Sequence, residues 1–411
     1  MTRFGVAGLM LLSLLLVGCA PRQLADLSYE CGFNKGIDRR SGKPFDPERA
    51  DRPSPAPIVK VVRFTDQGEL VDRCEVSDAL YEVRGLSPTD RDAGKAPLGG
   101  ALIVLYIHGW KHDGESQDSD LLRFTDFVEK LQAAEQAGLA RTVVGLYLAW
   151  PGASIKIPVV ENLTFWDRKR AADRVISAAY ISKFISGVHN VLRQRQRSDD
   201  FFVTIGHSFG ARILYTATSQ ILLHSMQLAH PGRRFEPYGL IHGLSDLTVL
   251  LNPAFEAATY TSLDASRRWQ ERFSGDQQPL LLTIATDNDW ATSYAYPLGQ
   301  TLAFEWDLRQ QVTLGNYEDY VTHDLSEATE GSGVWFDHYC RGKLCLNRRP
   351  SAVGQPGFPF ILARTNSSIL NGHNGIWEEQ FQTWLIGFIR AHECGAMHRA
   401  CADVRQSMRP H

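Results

Sequence analysis

The residues with the clearest chemical potential form the pentapeptide Gly-His-Ser-Phe-Gly at 206–210, which has the pattern G-x-S-x-G. It directly follows the apolar run 201–205 and precedes 211–217, a segment that predicts a helix. Both glycines are required sterically, because a side chain at either flank would crowd the strand and the helix that meet there. A serine on such a strand-to-helix turn is held ready for nucleophilic attack. The pattern therefore predicts that Ser208 is a nucleophile in acyl transfer.

Two further loops carry the partners that a serine nucleophile needs. A serine hydroxyl reacts poorly unless a base accepts its proton, and the base requires an acid to orient it. Asp287 and Asp289 lie just after the apolar run 280–285, and His373 lies in a glycine-flanked loop before the last predicted helix. These loops supply the candidate acid and base, although the chain holds 13 histidines that compete for the second role.

The elements that must position these residues alternate regularly. Continuous apolar runs predict strands buried on both faces, at 102–107, 143–148, 201–205, 247–251, 280–285 and 358–363. Helices are predicted near 118–137, at about 167–195 and at 376–391. Residues 58–73 predict an N-terminal β-hairpin with its turn at 65–68. The alternation predicts an α/β fold, with a mostly parallel sheet and helices on both faces.

In this order, the segments resemble those of the α/β-hydrolase family of serine hydrolases, over roughly residues 58–391. The resemblance implies an α/β-hydrolase fold and the chain order of nucleophile, acid and base. It therefore implies Ser208 as nucleophile, Asp289 as acid and His373 as general base, with Asp287 as the alternative acid. The segments 147–152 and 288–292 are similar to those of uncharacterised bacterial esterase-like members.

The same resemblance implies an oxyanion hole. Its two backbone donors would be Phe209, directly after the nucleophile, and Trp110, in the His-Gly-Trp loop that follows the strand at 102–107. His207 lies inside the strand-to-helix turn that carries Ser208, called the nucleophile elbow, and is expected to point away from the site. His108 and His112 have the spacing of a metal pair on a helix, but they fall in a loop, and no metal or organic cofactor is expected.

The N-terminus predicts export and lipidation. Arg3 precedes the apolar stretch 6–17, and the sequence Leu-Val-Gly-Cys at 16–19 resembles the lipobox of bacterial lipoproteins. The resemblance implies that Cys19 becomes the lipidated first residue and that Ala20 directs the protein to the outer membrane, on its periplasmic side. The alternative is an ordinary signal peptide. The expected organisation is a signal at 1–18, a polar tether at 19–57 and one domain at 58–411 with an insertion at about 303–357.

Cysteine usage agrees with an oxidising compartment. Six of the seven cysteines remain once Cys19 is set aside, an even number that predicts three disulfides. The simplest pairs are Cys340–Cys345, Cys394–Cys401 and Cys31–Cys74. The net charge of −3 is spread along the chain, so no nucleic-acid partner is expected, and protein partners are not predicted.

These observations predict a serine hydrolase that cleaves carboxylic esters. The same residues would serve a lipase, a thioesterase or an acyltransferase. An amidase ranks below an esterase, because nothing in the sequence marks an extended peptide cleft. A non-catalytic envelope lipoprotein with this fold is the alternative from another class. The apolar loop 155–166 could line an acyl site, touch the membrane or pack onto its own domain, and the insertion could be a lid or an ornamented loop.

Overall fold

The computed structural model describes residues 37–38, 43–44, 58–84, 100–136, 141–152, 165–177, 179–230, 232, 236–269, 271–289, 307–327 and 334–396. The predicted signal, Cys19 and most of the tether lie outside the described residues, as does most of the apolar loop 155–166. Parts of the insertion, at 303–306 and 328–333, also lie outside them.

One large mixed sheet organises the described part of the chain. Its strands are β1 Ile58–Arg63, β2 Ala101–Ile107, β3 Thr142–Ala149, β4 Phe201–His207, β5 Leu247–Leu251, β6 Leu281–Thr286, β7 His323–Glu327, β8 His338–Arg341, β9 Leu344–Arg348 and β10 Phe360–Thr365. Their order is β8-β9-β7-β10-β6-β5-β4-β2-β3-β1. The strands from β7 to β1 are parallel, and β9 and β8 extend the β7 edge as antiparallel pairs. Ile37–Asp38 and Lys43–Pro44 pair separately.

Helices cover both faces of this sheet. They are α1 Arg73–Arg84, α2 Ser119–Gln136, α3 Phe165–Ser177, α4 Tyr180–Arg195, α5 Phe209–Ala229, α6 Thr261–Arg268 and α7 Glu379–Ala396. Shorter turns of helix lie at Ala257–Tyr260, Leu308–Gln311, Leu314–Asn316, Glu318–Tyr320 and Gly375–Trp377. Within the described ranges, no single helix is long and apolar enough to cross a membrane, and only α3 and α4 taken together across a 51° bend would qualify by length and composition.

The two hydrophobic cores follow from the pleat of the central strands. Along β2, Ile103, Leu105 and Ile107 pack into the core beneath α1, α4 and α5. The alternate residues Leu102, Val104 and Tyr106 pack beneath α2 and α7 on the opposite face. A strand covered on both faces must be apolar throughout, which explains the continuous runs in the sequence. The predicted α/β-hydrolase fold is therefore confirmed.

Two predicted elements differ from the structure. The hairpin keeps its turn, but its second arm shrinks to a single antiparallel bridge between Phe64 and Leu70, and β1 pairs in parallel with β3. The second arm ends early because the chain turns into α1. The carboxylate of Asp72 accepts a hydrogen bond from the Cys74 amide and so caps the start of this helix. The long helix predicted at 167–195 is two helices, since Ala179 adopts a left-handed backbone with φ 58° just before α4.

The insertion lengthens the sheet beyond β10. Its strands β7, β9 and β8 all lie on the far side of β10, so β10 remains directly beside β6. The ends of these two strands are in register, with Thr286 opposite Thr365. The predicted disulfide Cys340–Cys345 is confirmed and joins β8 to β9. Cys74 and Cys394 are also in disulfides, and their predicted partners lie outside the described residues.

Candidate active site

Ser208 occupies a strained turn at the carboxyl end of β4. Its backbone has φ 57° and ψ −120°, which a non-glycine residue rarely adopts. The flanking glycines are necessary, because a Cβ at Gly210 would lie 2.1 Å from the carbonyl oxygen of Ile107. A Cβ at Gly206 would lie 2.7 Å from the Cα of Ala211 in the following helix. The close crossing of β4, β2 and α5 therefore fixes the position of the serine.

Ser208, His373 and Asp289 form a continuous hydrogen-bonded chain. The Ser208 Oγ lies 2.6 Å from His373 Nε2, and His373 Nδ1 lies 2.6 Å from Asp289 Oδ2. A carboxylate can only accept, so Nδ1 carries the proton and Nε2 is left to accept from the serine hydroxyl. Asp289 is fully buried, whereas the His373 side chain retains 15% of its exposure. Ser208 is only 1% exposed, so the imidazole is the most exposed of the three.

The sheet topology explains why these residues meet. Asp289 follows β6 and His373 follows β10, and these strands are neighbours with their carboxyl ends in register. Asp287, the alternative acid, is exposed, and its backbone amide donates to the carbonyl of Thr365 instead. The structure therefore places Asp289 and not Asp287 beside the imidazole.

The loop that carries His373 is held by side chains from three other strand ends. The His373 carbonyl accepts hydrogen bonds from His207 Nε2 at 2.8 Å and from Asn252 Nδ2 at 2.9 Å. The amide of the preceding Gly372 donates to Asn288 Oδ1 at 3.1 Å. The expectation that His207 points away is wrong, because its ring lies 4.9 Å from the His373 ring, centroid to centroid.

The His-Gly-Trp loop at 108–110 passes directly beside the serine. A Cβ built at Gly109 would lie 2.8 Å from Ser208 Cβ, so only glycine lets the loop approach this closely. Phe209 is the first residue of α5, where backbone amides form the positive end of the helix. The backbone of Gly109, which precedes Trp110, therefore lies close to Ser208, and Phe209 follows Ser208 in the chain, while the role of Trp110 and Phe209 as oxyanion donors remains a prediction.

The imidazole of His108 anchors this loop to the end of β3. Its Nε2 accepts from the Trp150 amide at 3.0 Å, so its Nδ1 carries the proton and donates to the Gly109 carbonyl at 2.8 Å. The indole Nε1 of Trp150 donates back to the His108 carbonyl at 2.9 Å. Burial lowers the pKa of His108 to about 4, and the nearby His112 acts in the same direction. His108 is therefore neutral at ordinary pH.

His112 has a different partner and does not form a metal pair with His108. Its Nδ1 lies 2.8 Å from Asp118 Oδ1. Burial lowers the pKa of His112, but the hydrogen bond to Asp118 and the negative charges of Asp120 and Asp118 together outweigh burial and raise the pKa overall. No cluster of three or more metal-ligating side chains occurs among the residues that the structure describes.

Sequence reasoning missed His207, Asn252 and Asn288 as parts of this site. Each lies at the carboxyl end of a parallel strand or in the loop after it, the edge where sites of α/β folds assemble. Their position at this edge was the signal in the sequence from which they could have been predicted. Cys19, the predicted lipidation site, lies outside the described residues.

Comparisons with known proteins give only distant structural similarity. No protein-family model and no curated protein sequence matches the chain. The chain is similar to the phospholipase PlaB from Legionella pneumophila in complex with thio-NAD, with 11% identity and a TM-score of 0.32, over 74% of this chain and 63% of that one. It therefore spans less than two thirds of PlaB.

Two other solved structures are also similar. Cutinase from Trichoderma reesei, in complex with a phosphonate inhibitor, has 15% identity and a TM-score of 0.21 over 52% of this chain and 76% of the cutinase. An uncharacterized protein from Pseudomonas aeruginosa has 10% identity and a TM-score of 0.26, over 81% of this chain and 51% of its own. Similarity at this level does not identify a function.

Proposed function

We propose that the protein is a serine hydrolase that cleaves carboxylic esters through Ser208, His373 and Asp289. The observation that carries the proposal is the hydrogen-bonded chain itself, with 2.6 Å at each step, ending on a serine in a strained elbow. Strain at φ 57° costs free energy, of order 1–3 kcal/mol for such a backbone, and persists where the surrounding structure enforces it. Such sites are commonly functional.

The proposed reaction follows from the roles of these atoms. Ser208 Oγ attacks the ester carbonyl while His373 Nε2 accepts its proton, and the imidazolium then protonates the departing alkoxide. Asp289 holds the ring and stabilises its cationic form. The backbone amides of Trp110 and Phe209 receive the oxyanion of the tetrahedral intermediate. Water activated by His373 then releases the acid and regenerates Ser208.

We also propose that the protein acts at the periplasmic face of the outer membrane, anchored through lipidated Cys19. The lipobox-like sequence at 16–19 supports the anchor. The disulfide Cys340–Cys345, together with those of Cys74 and Cys394, supports an oxidising compartment. The substrate would be a small-molecule or lipid ester, and the machinery would also suit thioesters, amides or acyl transfer.

The test is labelling of the purified, oxidised protein by a fluorophosphonate probe. We expect covalent labelling of the wild type and none of Ser208→Ala. Ser219→Ala, a buried serine on the same helix, is the matched control and should label as the wild type does. A panel of acyl esters then measures the preferred chain length. Absence of labelling in folded wild-type protein would overturn the proposal in favour of a non-catalytic envelope lipoprotein.

A further inference from the structure

One backbone atom of the candidate base receives two hydrogen bonds from buried side chains. The carbonyl oxygen of His373 accepts from His207 Nε2 and from Asn252 Nδ2, at 2.8 and 2.9 Å. A carbonyl oxygen has two lone pairs, so these donors satisfy it fully. Both donors are only 1% exposed, which shields the two bonds from competing water.

His207 joins this carbonyl directly to the nucleophile. It is the last residue of β4 and precedes Ser208, so its bond ties the elbow to the loop of the base. Because it donates through Nε2 to a carbonyl, its neutral form has no proton on Nδ1. Burial lowers the pKa of His207 well below its ordinary value, and the adjacent His373 lowers it further. Its ring also abuts the oxyanion loop, since a Cβ at Gly109 would lie 2.9 Å from Nδ1.

Asn252 joins the same carbonyl to two other strands. It follows β5 directly, and its Oδ1 accepts from the amide of Thr286 at the end of β6, at 3.0 Å. Its backbone has φ 43°, a left-handed conformation that asparagine tolerates better than most residues. The Oδ1 and Nδ2 atoms of the Asn252 side chain therefore link the end of β6, where the loop of Asp289 begins, with the loop of His373.

We infer that His207 and Asn252 are positioning residues that jointly hold the His373 backbone, and so set the distances from its ring to Ser208 and Asp289. This inference rests on the proposed function. Their hydrogen bonds to the loop of the base end on the His373 carbonyl and not on its ring, so each acts by positioning the backbone. A ring placed about 1 Å from its optimum can cost roughly 100-fold in rate, so loss of these bonds should reduce the acylation rate and leave substrate binding unchanged.

The test uses the full oxidised protein and three variants chosen to keep the fold. Asn252→Asp keeps the left-handed backbone and the acceptor for Thr286, but it loses the donor to the His373 carbonyl. His207→Phe keeps a ring of similar size without a donor, and His207→Gln restores an amide donor. The probe is a fluorophosphonate, with its labelling rate measured over a range of pH and of probe concentration, and thermal unfolding is recorded for each variant.

We expect His207→Phe and Asn252→Asp each to lower the maximal labelling rate by about 10- to 100-fold, with half-saturating probe concentration unchanged. His207→Gln should recover most of the loss. The carboxylate in Asn252→Asp should also move the acidic limb of the pH profile to higher pH, because it stabilises the imidazolium of His373. The double variant His207→Phe/Asn252→Asp should lose less than the product of the single losses, since both bonds end on one atom.

Three results separate the possible failures. If the wild type does not label at all, the proposed function fails. If the wild type labels and both single variants keep its rate and pH profile, the positioning role is wrong while the hydrolase assignment stands. If rates fall only in step with thermal stability and His207→Gln gives no recovery, the two residues serve the fold alone, and the inference is likewise overturned.

Discussion

Two hydroxyl–imidazole–carboxylate chains occur among the residues that the structure describes, and their environments differ. One joins Ser208, His373 and Asp289. The second joins Thr322 Oγ1 to His323 Nδ1 at 2.8 Å, and His323 Nε2 to Asp337 at 3.2 Å. Each chain joins a hydroxyl, an imidazole and a carboxylate. The hydroxyl lies beside Nε2 of the ring in the first chain and beside Nδ1 in the second.

The second chain is committed to structure. The Thr322 hydroxyl oxygen accepts from the Leu362 amide, and the Thr322 amide donates to the Leu362 carbonyl, so Thr322 helps to join β7 to β10. All three residues of this chain are 2% exposed or less. Ser208 Oγ, by contrast, makes no hydrogen bond other than that to His373 among the described residues. Both hydroxyls are buried, so the comparison teaches that a candidate nucleophile needs a hydroxyl that is not committed to the backbone, in addition to an imidazole.

Replacement of the two histidines should separate the chains most sharply. His373→Ala should lower fluorophosphonate labelling by about 10⁴-fold or more, because no base then accepts the serine proton. His323→Ala should keep the labelling rate within about threefold and lower the free energy of unfolding by about 1–3 kcal/mol, since Asp337 loses its partner. Labelling rates and urea unfolding of both variants check this. Equal loss of labelling in both variants would contradict the distinction.

Replacement of the candidate acid Asp289 should have the next largest effect on labelling. Asp289→Asn should reduce labelling by about 10²–10⁴-fold, because an amide orients the imidazole less well and does not stabilise its cation. Asp287→Asn, two residues earlier and exposed, is the matched control and should label normally. A larger loss in the control than in Asp289→Asn would assign the acid to Asp287. Single-turnover labelling rates measure both.

A substitution in the predicted oxyanion loop at 108–110 should reduce activity less than replacement of His373 or Asp289. Gly109→Ala places a methyl group 2.8 Å from Ser208 Cβ, and the loop must shift away from the serine. We expect a loss of about 10²–10³-fold in ester hydrolysis, comparable to loss of one oxyanion donor. Gly275→Ala is the control, because an added Cβ there meets no atom within 4 Å. Unchanged hydrolysis in Gly109→Ala would exclude this loop from the site.

The smallest expected effect is a change in how the free energy of unfolding depends on pH when His323 of the second chain is replaced. Burial lowers the pKa of His323, and this outweighs the opposing influence of Asp337. A pKa lowered by folding means that stability is present above the unfolded pKa of about 6.5 and is lost as the pH falls below it. Urea unfolding between pH 7.5 and 5 should therefore show a shallower decline in His323→Gln than in the wild type. An identical slope would show that His323 does not titrate against folding.

The sequence predicts those features that depend on local pattern. The elbow and the buried strands follow from residue type and spacing, and the expected order of nucleophile, acid and base follows from the resemblance to the α/β-hydrolase family. The choice of Asp289 over Asp287 depends on how β6 and β10 pair, which the structure supplies. The role of His207 depends on contact with a loop 166 residues away in the chain. Such long-range contacts leave no local periodicity.

The strands of the insertion also escaped prediction for a physical reason. β7, β8 and β9 are four or five residues long and mix polar with apolar side chains, and each has a half-buried or exposed residue. Strands near a sheet edge need no continuous apolar run. The break between α3 and α4 was missed because the apolar stripe continues in phase through α4, while Ala179 gives no sign of its left-handed backbone.

The placement of the insertion beyond β10 has an evolutionary consequence. Because β6 and β10 stay adjacent with Thr286 opposite Thr365, the alignment of Asp289 with His373 is independent of how many residues connect the two strands. Selection can lengthen, trim or redecorate that connection, and with it the outer surface of the protein, while Asp289 and His373 keep their alignment. The sheet thereby separates a part of the gene free to diversify from one that must stay constant.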